Sequence, residues 1–136
     1  MEGMYPCACC GFLASGYPGD YGTCPICLWE DDGVQLHQPL YAGGANTVSL
    51  YEAQQNFLRC GACEARFVGH PPGPDDERDP YWRPFDPQRD TQPPFDMDDD
   101  LRQRYQAACD NPISLYYWRP EYWFANQGAK AKKTLD

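Results

Sequence analysis

Aliphatic side chains are scarce in the first 32 residues, where the only branched ones are Leu13, Ile26 and Leu28. So little apolar surface excludes a conventional hydrophobic core for this part of the chain, because it cannot offset the entropy of ordering it. Short segments of this composition usually depend on disulfides or a bound metal. The sequence contains eight cysteines, which could supply either kind of cross-link.

Recognisable targeting and membrane segments are also lacking. The sequence opens MEGMYPCACC, without a basic region followed by an apolar stretch, so no signal peptide is predicted. The longest uncharged stretches are rich in Gly, Pro and Tyr, and none is expected to span a membrane. We therefore expect a cytoplasmic protein, in which thiols stay reduced and paired Cys-x-x-Cys units serve as metal ligands.

Basic residues are few: 11 Lys and Arg stand against 20 Asp and Glu, which gives a net charge of −9. Because phosphate backbones attract clustered cations, we do not expect direct binding to nucleic acid. The acids concentrate in residues 71–100, where ten of them accompany three arginines. This excess either keeps the protein soluble or attracts a basic protein partner.

Two Cys-x-x-Cys units are the strongest pattern that is present: Cys7-Ala-Cys-Cys10-Gly11 and Cys24-Pro-Ile-Cys27. This spacing lets a tight turn direct both sulfurs at one point, and Gly11 suits the positive φ that often follows the second sulfur. Four thiolates close a tetrahedral Zn²⁺ site and leave no open position for a substrate. We predict one structural zinc ion bound by Cys7, Cys10, Cys24 and Cys27.

The assignment of ligands has two alternatives. Cys9 could replace Cys7 or Cys10, although the adjacent side chains of Cys9 and Cys10 point apart, which favours Cys9 as a non-ligand thiol. Iron in a rubredoxin-like site is the rival to zinc. The short interval of 13 residues between the two units favours a zinc ribbon.

A third unit, Cys60-Gly-Ala-Cys63, is weaker evidence for a site. A second zinc ion would need further ligands from Cys109, His37 or His70. A redox pair is expected at the start of a helix, where the dipole lowers the thiol pKa, whereas this pair follows a predicted helix. We interpret both cysteines as ordinary thiols. No other pattern indicates a catalytic site, so an enzyme is not predicted.

The predicted fold is a small α+β protein in three parts. Residues 1–70 form a zinc-ribbon-like module with a capped helix at 49–60, in which Ser49 and Glu52 make a capping box and Gly61 ends the helix. Residues 71–97 form a Pro-rich acidic connecting segment that wraps over the surface. Residues 98–136 contribute a helix, a short aromatic strand and a basic tail.

Several finer expectations accompany this outline. The second helix should begin at Asp98, Asp99 or Asp100, since acids favour the positive end of the helix dipole, and end at Asn111-Pro112. The run ISLYYW (113–118) has the composition of a strand. Residues 33–48 are predicted to be a loop with extended pieces, and residues 30–32 a solvated acidic turn.

The sequence resembles the bacterial cysteine-rich CPCC family over about residues 5–87. The resemblance rests on YPCACCG, then PGDYGTCPICLWEDDGVQL, then YAGGANTVSLYEAQQNF, and ends in DDERDPYWRPFDP. Ala8 stands where the family's name motif has proline, but Cys7, Cys9 and Cys10 are retained. The resemblance implies a bacterial source and a zinc-binding core, and it implies no particular reaction. Cys60 and Cys63 lie outside the name motif.

These observations favour a non-catalytic binding protein, most concretely an immunity-type protein that binds and neutralises a basic bacterial toxin. Aromatic side chains in the second half could anchor such an interface: Tyr81, Trp82, Phe85, Tyr116, Trp118, Tyr122 and Trp123. The alternatives are a zinc-ribbon accessory protein of transcription or translation and a thiol redox protein.

Overall fold

A computed structural model describes residues 4–124, so the predicted basic tail lies outside the described residues. In chain order the elements are strands β1 (Tyr5–Pro6) and β2 (Leu13–Ser15), helices α1 (Gly33–His37), α2 (Leu50–Cys60) and α3 (Asp99–Ala108), and a 3₁₀ helix (Pro112–Leu115). Three helices and a two-stranded sheet agree with the predicted small α+β class. They accompany a cluster of four cysteines that is compatible with a zinc-ribbon-like module.

The sheet is an antiparallel hairpin around the first cysteine unit, with Tyr5 opposite Ser15 and Pro6 opposite Leu13. An isolated bridge between Phe12 and Arg78 extends it on the other side. There the Leu13 N–H donates to the Glu77 carbonyl at 2.8 Å. The start of the Pro-rich segment is therefore fixed to the hairpin by backbone hydrogen bonds.

Helix α2 has the predicted ends. The Ser49 hydroxyl accepts a hydrogen bond from the Glu52 N–H at 3.1 Å, which satisfies one of the free amides of the first turn. At the other end Gly61 adopts a left-handed conformation with φ 84°, and its N–H donates to the Phe57 carbonyl at 2.8 Å. This is the geometry that glycine adopts most readily after a helix.

The buried face of α2 is more polar than its periodicity indicates. Leu50 and Ala53 are fully buried, but Leu58 is 54% exposed and Gln54 is completely buried. The amide of Gln54 bonds to three different parts of the chain. Its nitrogen donates to the Ala8 carbonyl and the Tyr117 hydroxyl, and its oxygen accepts from the Phe85 N–H.

The segment predicted as a loop contains the short helix α1, and the turn before it is buried rather than solvated. Asp31 and Asp32 are 5% and 4% exposed. Asp32 caps α1 by accepting from Val34 N–H at 2.8 Å, and its second oxygen accepts from Ala45 N–H at 2.8 Å. Asp31 accepts from Gly19 N–H at 3.0 Å. The prediction of a solvated turn was wrong because these carboxylates satisfy backbone amides.

Helix α3 begins as predicted, with Asp98 accepting a hydrogen bond from the Leu101 N–H at 2.8 Å. The predicted aromatic strand at 113–118 is wrong: its first part is the 3₁₀ helix, with Pro112 in the first turn. Residues 114–118 are all buried. In a half-buried strand, buried and exposed residues alternate, whereas here consecutive residues are all buried. The aromatic composition of this run therefore did not predict its secondary structure correctly.

The Pro-rich segment is held by a buried carboxylate at its start. Asp79 is 4% exposed and accepts hydrogen bonds from the Trp118 indole at 2.9 Å, the Arg119 guanidinium at 3.0 Å and the Tyr81 N–H at 2.9 Å. Asp79 therefore joins the segment to the C-terminal aromatic run. An unpaired buried charge is costly, so loss of the hydrogen bonds from Trp118 and Arg119 would leave the Asp79 carboxylate in an unfavourable environment.

The longest helix in the described part of the chain is α2, with 11 residues. No helix within residues 4–124 has the length and apolar character needed to cross a bilayer.

Candidate metal centre

The first cysteine unit forms a tight turn closed by backbone hydrogen bonds. The Gly11 N–H donates to the Cys7 carbonyl at 2.7 Å, and the Cys7 N–H donates to the Phe12 carbonyl at 2.8 Å. Gly11 has φ 82°, and a Cβ atom at this position would lie 2.5 Å from Cγ of Trp82. Glycine is therefore required here both by the backbone conformation and by the close approach of the indole.

The second unit repeats the same turn without a glycine. The Leu28 N–H donates to the Cys24 carbonyl at 2.9 Å, and Leu28 has φ 70°. The Ile26 N–H also lies 3.4 Å from the Cys24 sulfur, an orientation that stabilises a thiolate. A left-handed leucine costs about 1–2 kcal/mol. The cost indicates that the turn is imposed by the surrounding structure, since leucine does not favour it.

The two turns bring the four predicted ligands together. The sulfurs of Cys7, Cys10, Cys24 and Cys27 all lie within 4.8 Å of one another. Cys7 and Cys27 are 3.6 Å apart, and Cys10 and Cys24 are 3.8 Å apart. Zinc–sulfur bonds of about 2.3 Å in a tetrahedron give sulfur–sulfur edges of about 3.8 Å. The spacing therefore fits a four-coordinate metal ion of this size.

Burial disfavours the thiolate form of these four cysteines when no cation is bound. Each of the four residues is at most 1% exposed. Burial raises the pKa of the Cys7 thiol, and the hydrogen bond to Cys24 raises the pKa of Cys10. Hydrogen bonds from Cys10, Cys27 and Cys7 lower the pKa of Cys24, so one thiolate is favoured at the expense of its neighbours. A divalent metal would remove this conflict by stabilising all four thiolates together.

The other cysteines do not join this group. Cys9 is completely buried but is not among the four clustered sulfurs. Cys63 is buried as well, and burial raises the pKa of its thiol to about 12, whereas Cys60 is exposed. Within residues 4–124 the structure brings neither Cys109 nor His70 into a second cluster with them.

His37, the remaining candidate ligand, packs between aromatic rings. Its imidazole meets Tyr105 edge-on at 4.7 Å and stacks on Trp123 at 6.0 Å. Both ring nitrogens are buried, and neither has a hydrogen-bond partner among the described residues. Burial lowers the pKa of His37 to about 4. The ring therefore remains neutral near pH 7 and joins α1 to α3 and the C-terminal aromatic residues.

The turns are supported by residues that the sequence patterns did not single out. The Cys63 N–H donates to the Cys27 carbonyl at 2.9 Å. The Arg78 guanidinium donates to the Cys10 carbonyl at 2.8 Å and lies 4.3 Å from the centre of the Trp82 ring. A hydrogen bond from a charged side chain to a turn carbonyl has no signature in a single sequence. Only the structure could reveal these supports.

The arrangement defines a class of protein, one with a pair of cysteine turns around a single buried four-sulfur site. The chain belongs to the cysteine-rich CPCC family, which matches residues 5–78 and thus confirms the resemblance. The match ends within the acidic segment, so the helix α3 and the aromatic run lie outside it. Comparison with curated proteins found no match.

Proposed function

We propose that the four cysteines bind one zinc ion with a purely structural role. The support is the cluster itself: four buried sulfurs within 4.8 Å of one another are enough to close a tetrahedral site that leaves no position for a substrate or water. Bound zinc would supply a cross-link between residues 7–10 and 24–27, which this aliphatic-poor part of the chain needs to fold. Elemental analysis of protein purified from medium that contains both zinc and iron tests the identity of the metal.

We propose further that the chain is a non-catalytic binding protein of the immunity type, whose partner is a basic protein such as a bacterial toxin. The observation that carries this proposal is the exposure of the acidic segment. Of the ten acids in residues 71–100, seven are exposed: Asp75, Asp76, Glu77, Asp96, Asp98, Asp99 and Asp100. Exposed carboxylates on a rigid scaffold accelerate encounter with a positively charged surface.

Ion pairing within the chain leaves this acidic surface largely available. Asp99 and Asp100 contact Arg102 and Arg104, but all four side chains are at least 46% exposed. Exposed pairs of this kind contribute only about 0–1 kcal/mol, so a partner's cations can replace them at little cost.

The thiol redox alternative has less support. A redox-active cysteine needs an accessible thiolate, whereas Cys9 is completely buried and burial raises the pKa of Cys63. The zinc-ribbon accessory role in transcription or translation remains the alternative, and no particular contact favours it.

The zinc-loaded chain can be used as bait in an extract of its source bacterium. We expect capture of a basic protein that inhibits growth when expressed alone and becomes harmless when co-expressed with this chain. Replacing Asp96, Asp99 and Asp100 by lysine should slow association more than it speeds dissociation. These positions avoid Asp98, which caps α3, and Asp110→Lys provides an exposed control outside the acidic segment.

Two outcomes would refute the proposal. One is a captured partner whose growth inhibition persists on co-expression. The other is binding that is indifferent to salt and to the three charge reversals, because exposed charges that guide binding are screened by ions.

A further inference from the structure

A shallow groove lies between the outer side of α2 and the loop at residues 83–89. Its volume is about 350 Å³, which falls at the lower end of the roughly 300–1,000 Å³ typical of ligand sites. Its apolar lining consists of Tyr51, Pro84, Phe85 and Pro87. Phe85 is only 2% exposed, so the floor of the groove is anchored in the core.

Five residues with polar side chains line this groove, namely Tyr51, Gln55, Arg83, Asp86 and Arg89. Three of them carry the argument: Tyr51, Gln55 and Arg89. Tyr51 and Gln55 are one helical turn apart, so they share one side of α2. None of these three side chains makes a hydrogen bond or ion pair within the described part of the chain. An apolar groove with a few polar groups that have no internal partner has the composition of a recognition site.

Arg89 differs in this respect from the other arginines of residues 4–124. Each of the others makes a side-chain hydrogen bond or an ion pair: Arg59, Arg66, Arg78, Arg83, Arg102, Arg104 and Arg119. Acids outnumber bases almost two to one in this sequence. Carboxylates are therefore plentiful in this chain, and yet Arg89 forms no side-chain hydrogen bond or ion pair with any of them within residues 4–124.

The nearby carboxylates are used to fix the loop. Both oxygens of Asp90 accept from Arg83, at 2.7 and 2.8 Å, and one of them also accepts from the Asp86 N–H at 2.8 Å. Asp86, which also lines the groove, accepts from the Gln88 N–H at 2.9 Å. The Arg89 N–H donates to the Asp86 carbonyl at 3.1 Å. These bonds organise the loop before any ligand arrives and leave the Arg89 guanidinium available.

We propose that this groove binds a peptide segment of a partner protein in which an aromatic side chain stands next to an aspartate or glutamate. The aromatic ring would pack on Tyr51, Pro84 and Pro87, and the carboxylate would accept charge-assisted hydrogen bonds from Arg89. Gln55 would bond to the peptide backbone.

This site goes beyond the proposed function, because it recognises the charge opposite to that of a basic partner. The net charge of the chain slows the approach of an acidic peptide. At physiological ionic strength, however, charges beyond about 8 Å are largely screened, whereas the contact with Arg89 is not. Of the carboxylates near Arg89, Asp90 is already paired with Arg83. The proposal for the groove and the proposal for the acidic surface can therefore be tested independently of each other.

The test is an NMR titration of the ¹⁵N-labelled, zinc-loaded full chain with three capped peptides. The parent peptide is acetyl-GFDFDG-amide, and the two controls replace both Asp by Asn or both Phe by Ala. We expect the parent to shift the amide signals of Tyr51, Gln55 and residues 85–89. Each control should bind at least about tenfold more weakly, because it lacks either the charged contact or the aromatic packing.

Variants of the protein separate this site from general attraction. Arg89→Gln should weaken the parent peptide at least about tenfold and abolish its preference over the Asn peptide. Gln55→Ala should weaken all three peptides alike. Arg66→Gln is the matched control, since Arg66 is exposed, forms an ion pair with Glu64 and lies over the Phe67 ring, all outside the groove. Arg89 is exposed too, so its replacement should leave the spectrum of the folded protein intact.

Four results would overturn the proposal: no shifts at millimolar parent peptide, shifts centred on other residues, equal binding of the Asn peptide, or equal binding by Arg89→Gln. Self-association of the full chain through the groove, seen by sedimentation and abolished in Arg89→Gln, would instead assign the groove to a second copy. None of these results bears on the acidic surface, whose test uses a basic partner.

Discussion

Replacing Gln54 by alanine should destabilise the protein strongly, whereas the same change at the next residue should not. Gln54 is completely buried and its amide joins Ala8, Phe85 and Tyr117. The Ala8 carbonyl would keep a hydrogen bond from the Trp82 indole, and the Tyr117 hydroxyl would keep the Arg83 carbonyl as its acceptor. The Phe85 N–H would be left without this partner in a buried position.

The expected cost follows from these contacts. Two lost hydrogen bonds whose partners remain satisfied contribute about 0.5–1.5 kcal/mol each, and one unsatisfied buried N–H contributes about 1–3 kcal/mol. The free energy of unfolding should therefore fall by about 2–6 kcal/mol, to which the cavity left by the side chain adds. Such a loss is a large part of the stability of a typical domain.

Urea denaturation of the zinc-loaded variants measures this effect as a lower midpoint at an unchanged slope. Gln55→Ala is the control, since Gln55 lies on the same helix, is only partly buried and makes no side-chain hydrogen bond within residues 4–124. It should shift the free energy by no more than about 0.5 kcal/mol. Equal midpoints for the two variants would refute the idea that Gln54 joins the three segments.

Three further predictions concern the turns and the buried histidine. Gly11→Ala should lower the affinity for zinc, because its Cβ would meet Trp82 at 2.5 Å, and a chelator competition with unchanged affinity would contradict this. Cys9→Ser should retain the metal content of the wild type, as measured by elemental analysis; loss of the metal would make Cys9 a ligand. The pKa of His37 is lowered to about 4, so the stability due to its neutral ring is present above pH 6.5 and lost as the pH falls from 6.5 through 4. His37→Phe should reduce that loss in urea titrations across this range, and an identical pH profile would argue against it.

The sequence was most informative where local chemistry alone decides the structure. The Cys-x-x-Cys spacing predicted the four clustered sulfurs, and Ser49 and Gly61 predicted the ends of α2, because these features act over a few residues. Asp98 did the same for the start of α3. Ser49 and Asp98 each accept a hydrogen bond from a backbone N–H three residues on, and Gly61 adopts the left-handed conformation that ends a helix.

The errors arose where distant parts of the chain decide the environment. Asp31 and Asp32 looked like a solvated turn because their amide partners, Gly19 and Ala45, are far along the sequence. Gln54 was not singled out by the sequence patterns, although three segments converge on it. The run at 113–118 was predicted to be a strand from its aromatic residues. Composition alone cannot show whether every second residue is buried, as in a strand, or every residue, as here. Polar residues buried by tertiary contacts carry no periodic signal.

The zinc content of the purified chain tests the central claim most directly. Wild-type protein and the Cys27→Ala variant, prepared in parallel from medium containing zinc and iron, would be measured by elemental analysis against protein concentration. The four-sulfur site predicts one zinc ion per wild-type chain and loss of that ion in the variant, since three thiolates no longer close the tetrahedron. Iron in place of zinc, no metal in the wild type, or full zinc occupancy in Cys27→Ala would contradict it.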